Sequence, residues 1–191
     1  DPGVGTMGDP AYKTLIGRKI NKVLGLAFGQ GLMNNLIEAY TFLMEHYEDG
    51  DKVFIFGFSR GAYTARALAA FIKDCGLFEK GAKNLLPYAM NFFLTKAPKN
   101  DKDQKEFFSM LSSFRSTYGR LLNRQGDPRD PKNKDIPNYQ LRIHFMGLFD
   151  TVKSYGWVSN PVVLRNEAKN PSVLALRHAL SIDEKRAFFR Q

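Results

Sequence analysis

The sequence predicts an α/β domain built on a mainly parallel sheet. Two apolar runs without polar alternation, Val53-Phe54-Ile55-Phe56-Gly57-Phe58 and Ile143 to Phe149, read as strands, and helical patterns flank the first. A strand lacking a polar face is expected in the middle of a parallel sheet, where helices cover both faces. The expectation is therefore helices on both faces of the sheet, in one domain spanning residues 1–191.

Each element has its own signal. Asp1-Pro2-Gly3-Val4-Gly5-Thr6 has no initiator Met, basic segment or apolar segment, so no signal peptide is visible and the chain reads as starting within a longer protein. Leu32, Leu36, Ala39, Tyr40, Leu43 and Tyr47 recur at helical spacing, and Glu48-Asp49-Gly50-Asp51 closes that helix with a turn signal. Beyond Ser59, the alanines 62, 65, 67, 69 and 70 permit close approach to the sheet, in a helix running to about Asp74, before Gly76. Residues 85–94 and 106–122 read as further helices, separated by the lysine-rich segment Lys96 to Lys105. Residues 96–138 together read as a lysine- and proline-rich insertion, with Asp127-Pro128, Asp130-Pro131 and Ile136-Pro137 marking 125–138 as a surface loop. Pro161 and Pro171 bracket irregular chain, and Val173 to Leu180 reads as a short helix.

Composition narrows the function classes. With 43% hydrophobic residues the chain can build a core, and no apolar run approaches the roughly 18 to 20 residues of a membrane span. A single cysteine, Cys75, allows neither an intrachain disulfide nor a thiolate zinc cluster, and no metal or cofactor is expected. Twenty-eight Lys and Arg against nineteen Asp and Glu leave a net charge of +9. That surplus suits an anionic membrane surface or solubility. It is spread along the chain, without zinc-finger spacing, a basic heptad region or an RNP-like aromatic run, so nucleic acid is not an expected partner.

Chemistry enters with Gly57-Phe58-Ser59-Arg60-Gly61, a G-x-S-x-G match that composition alone would produce roughly 0.06 times in this chain. Its context is that of a nucleophile elbow, between a strand and a helix. A serine hydroxyl is a poor nucleophile at neutral pH, and a tight turn presents it while a base activates it. Gly57 and Gly61 are expected to make room for the turn, and the backbone N–H of Arg60, assisted by the helix N-terminus, to face a developing oxyanion. The competing reading is a glycine-rich connection in which Ser59 only caps the helix.

In this arrangement an acid follows a later strand and a histidine comes last. Asp150, at the carboxyl end of the second apolar run, fits the acid; the alternative is a carboxylate bonded to nearby N–H groups. Of three histidines, His46 in the first helix and His144 inside the second strand read as structural. His178 has the right order for the base, although pairing with Asp183 or packing under the sheet edge would explain it equally well.

Asp1 to Thr6, Ile37-Glu38-Ala39-Tyr40, Phe56 to Arg66, Phe149-Asp150-Thr151-Val152 and His178 to Glu184 occur in the same order in a known family. The chain resembles, over nearly its whole length, the α/β-hydrolase domain of type VI secretion phospholipase effectors and their wider relatives. The resemblance implies a serine esterase of the phospholipase type, with an acyl-enzyme on Ser59 and Asp150 as acid. It implies phospholipid or another ester as substrate, and a secreted effector with secretion-machinery or immunity partners. It also implies a partial domain. Family members have an earlier strand ending in Asp-Gly-Thr, a source of the second oxyanion donor, and a later strand leading to Gly-x-His, so the base is sought either in His178 or beyond Gln191. A noncatalytic binding or structural module on a hydrolase-like sheet is the alternative.

Overall fold

A computed structural model describes residues 27–95, 97–98, 100–122, 141–151 and 170–180. The expected surface loop at 125–138, the chain start at 1–6, the stretch after Pro161 and the Asp183 partner lie outside the described residues. Helix α1 (Ala27–His46) leads to strand β1 (Val53–Phe58) and helix α2 (Arg60–Cys75). A 3-10 turn, Lys83–Leu85, opens α3 (Leu86–Leu94); α4 (Asp101–Tyr118), β2 (Ile143–Phe149) and β3 (Leu176–Ala179) complete the order.

The sheet is parallel throughout, ordered β1-β2-β3, with Phe58 opposite Phe149 and Leu148 opposite His178. An α/β architecture with a parallel sheet is thus present among the described residues. The 173–180 stretch is a correction: instead of a short helix it forms β3, because hydrogen bonding to β2 outweighs the modest helix preference of Ala and Leu.

Helix α2 packs on one sheet face. Twelve of its sixteen residues are buried, and small side chains at Ala62, Ala65 and Ala69 bring its backbone close to the sheet. Gly57 shows how close: a Cβ there would meet Gly61 O at 2.5 Å and Ala62 Cα at 2.6 Å. The other face is not covered as the apolar runs predict. Phe54, Phe56 and Phe58 alternate with the inward residues of β1 and are 56%, 65% and 69% exposed. An apolar run reports that both faces are apolar and says nothing of what covers them.

Tyr40 anchors the core between α1 and the end of α2. It is fully buried, meets Phe71 and Phe78 edge-on at 4.8 and 5.5 Å, and donates its hydroxyl to Gly76 O at 3.0 Å. The same oxygen accepts from Phe78 N–H at 3.0 Å, so the phenol joins two buried backbone groups at the helix end. Burial pushes its pKa well above the usual tyrosine value, with Cys75 adding to the shift and Phe78 N–H and Arg120 opposing it. Gly76 ends α2 at φ 75°, where a side chain would be strained, and donates to Ile72 O.

Helix α4 begins earlier than its charged sequence suggests. Asn100 Oδ1 accepts from Asp103 N–H at 3.0 Å, and Asp101 and Asp103 favour the positive end of the helix dipole. Its buried residues, Phe107 and Leu111, lie one turn apart. Arg115 donates to Lys73 O at 2.8 Å, holding α4 against α2.

Candidate active site

The candidate site lies at the carboxyl edge of the sheet, the edge where α/β proteins place ligands. Parallel pairing brings three separated chain segments there. Ser59 N–H donates to Phe149 O at 2.8 Å, extending the pairing of β1 with β2 into the elbow. Asp150 N–H donates to Ala179 O at 2.8 Å, extending the pairing of β2 with β3. Ser59, Asp150 and His178 therefore share one end of three adjacent strands.

Ser59 has φ 53° and ψ −115°, a conformation that a serine adopts only at a cost of order 1–3 kcal/mol when its surroundings dictate it. Asp150 has φ 45°, and these two are the non-glycine residues with positive φ among the described residues. The strain thus falls on the serine and the carboxylate that the sequence selects for chemistry. Ser59 occupies the cap position of α2, but its side chain makes no capping hydrogen bond. The hydroxyl is not spent on the role assigned to it by the capping alternative.

The two motif glycines are not equivalent. The strand-to-helix approach requires Gly57, whereas a Cβ on Gly61 would meet nothing within 4 Å, so the expectation that both make room is corrected for Gly61. Arg60 is the first residue of α2, and an α-helix offers its first N–H groups no acceptor within the helix.

His178 stands on β3, which delivers it to the site edge; the sequence gave no strand for that purpose. Its Nδ1 lies 3.4 Å from Arg66 Nη2, and its Nε2 lies 2.9 Å from Thr151 Oγ1 and 3.4 Å from Thr151 N. Partial desolvation and then the Arg66 cation hold its pKa below the ordinary 6.5, against the pull of Asp150. Arg66 and Thr151 both fall in the blocks quoted above, yet neither was singled out, since only spatial proximity reveals their common partner. The other histidines lie elsewhere. His46 stacks on Phe42 at the end of α1, and His144 sits near the opposite end of β2, close to Phe54.

The model of the type VI secretion phospholipase effector Tle1-like catalytic domain matches residues 1–191. The chain belongs to this family. A similar protein is "Uncharacterized protein YEL023C" of Saccharomyces cerevisiae, 31% identical over 195 residues that cover all of this chain and 26% of the yeast protein. The chain thus spans about a quarter of that relative's length. No solved structure matches. Membership in the Tle1-like catalytic family supports a phospholipase-type hydrolase acting on lipid. Among the described residues, no helix is long and apolar enough to cross a membrane, and no group of three or more His, Cys, Asp or Glu could hold a metal ion.

Proposed function

We propose that this chain carries the nucleophile and the acid of a serine-dependent phospholipase that works through an acyl-enzyme on Ser59. The observation that carries the reading is the positive φ of Ser59 in a G-x-S-x-G turn between a parallel strand and a helix, with the hydroxyl free of capping. Family membership supports the substrate class.

In the first half-reaction Ser59 Oγ attacks the ester carbonyl carbon and gives up its proton to a base. The carbonyl electrons move onto oxygen, where the Arg60 N–H at the start of α2 stabilises the charge. The tetrahedral species collapses, the bond to the glycerol oxygen breaks, and the proton passes to that oxygen as the lysophospholipid leaves. Water then attacks the acyl-enzyme by the same route, releasing fatty acid and restoring Ser59. Asp150 orients the base and stabilises its charged form. A secreted effector role, with a secretion or immunity partner, follows the same family relation.

The test is hydrolysis of dispersed phospholipid by the intact protein and by its Ser59→Ala variant. The expected result is loss of turnover by several powers of ten with an unchanged circular dichroism spectrum. Equal turnover in the two would reject the assignment and favour a noncatalytic module.

A further inference from the structure

We infer that His178 is a positioning residue, not the general base: with Arg66 and Thr151 it ties the acid turn to the helix that starts at the nucleophile. The inference rests on the hydrolase reading for its consequence, but its geometry stands apart from that reading.

The argument begins with donor chemistry. A guanidinium has donors only, so Arg66 Nη2, 3.4 Å from His178 Nδ1, requires a lone pair on that nitrogen. In the neutral ring the proton then sits on Nε2, where Thr151 Oγ1 accepts it at 2.9 Å. Nε2 cannot also accept from Thr151 N–H, whose 3.4 Å separation is the longer of the two contacts. A triad base has the opposite arrangement, with Nδ1–H donating to the acid and the Nε2 lone pair facing the serine. Here the proton is on the wrong nitrogen and both nitrogens are engaged.

The groups around the ring reinforce that state. Arg66 from α2 disfavours an imidazolium, Asp150 after β2 favours one, and the net direction is toward the neutral ring. Arg177, the neighbouring charge on β3, projects to the opposite sheet face by strand alternation. What the ring does is mechanical. Arg66 lies seven residues along α2 from Ser59, two helical turns, while Thr151 follows Asp150 directly. Together with the Asp150 N–H bond to Ala179 O, the ring fixes the turn that holds Asp150 at φ 45°. Proton transfer from Ser59 then belongs to none of the three histidines of this chain.

The test uses the intact protein with 15N-labelled histidine. Nuclear magnetic resonance should find His178 as the Nε2–H tautomer, neutral at pH 7 and titrating below 6.5, in both the wild type and Ser59→Ala. Arg66→Met should raise that titration toward the ordinary value and mix the tautomers. An Nδ1–H tautomer, or a titration unmoved by Arg66→Met, would overturn the inference. These readouts need no turnover, so they separate its failure from failure of the hydrolase reading. In the kinetic arm, His178→Ala should lower kcat by up to about 100-fold through misplacement of the acid, with the acid limb of the pH profile unmoved. His178→Gln, whose amide can accept from Arg66 and donate to Thr151, should recover most of that loss. Loss of the acid limb, or a glutamine variant as impaired as the alanine, would make His178 the base.

Discussion

Replacing Gly57 with alanine should damage both stability and turnover, while the same change at Gly61 should damage neither. The Cβ at position 57 would stand 2.5 Å from Gly61 O, 2.6 Å from Ala62 Cα and 2.7 Å from Ala62 N. All three are backbone atoms, so no side chain can rotate away. The nearest contact is about 0.9 Å short of the 3.4 Å at which ordinary contact begins, and β1 and α2 must separate by a displacement of that order. Overpacking of this kind costs about 1–3 kcal/mol, and rigid neighbours put Gly57→Ala at about 3 kcal/mol or above. Ser59 lies between the two elements forced apart, and a misplacement of about 1 Å can cost around 100-fold in rate. At Gly61 the methyl enters open space, and alanine favours the helix by up to about 1 kcal/mol. Urea unfolding and phospholipid turnover of the two variants of the intact protein provide the assay. A Gly57→Ala protein as stable and active as wild type, or a Gly61→Ala protein that is worse, would refute the close-approach argument.

Three further outcomes are expected. Asp150→Asn should lower turnover by about 10⁴-fold with little change in melting temperature, because asparagine tolerates the φ of 45° but lacks the charge; unchanged turnover would move the acid elsewhere. Tyr40→Phe should cost about 2–4 kcal/mol in urea unfolding, since it orphans both Gly76 O and Phe78 N–H; a loss below 1 kcal/mol would mean that water replaces the hydroxyl. The net charge of +9 should favour vesicles containing anionic lipid, each well-placed Lys or Arg contributing about 1 kcal/mol, and retention should fall with salt; equal retention on neutral vesicles would leave the charge to solubility.

What could be read from sequence was local. The apolar runs announced β1 and β2, helical spacing announced α1, and the alanines of α2 announced a helix close to a sheet. Ser59 and Asp150 were legible because a motif and a strand end mark them. Three features were not legible, each for a physical reason. The β3 strand is short and exposed, and pairing with β2 gives it its form. The start of α4 was obscured by charge and proline, although Asn100 followed by Asp103 is a capping pattern that could have revealed it. The contacts of His178 depend on Arg66, 112 residues away, and on Thr151, 27 residues away. No local pattern encodes such a meeting.

The central claim, that Ser59 is a strained and activated nucleophile, is most directly tested by covalent trapping. The intact protein would be treated with a fluorophosphonate, digested, and mapped by mass spectrometry. The account predicts one adduct on the peptide containing Ser59, formed in competition with phospholipid and absent from a folded Ser59→Ala variant. An adduct on another serine, or undiminished labelling of that variant, would contradict it.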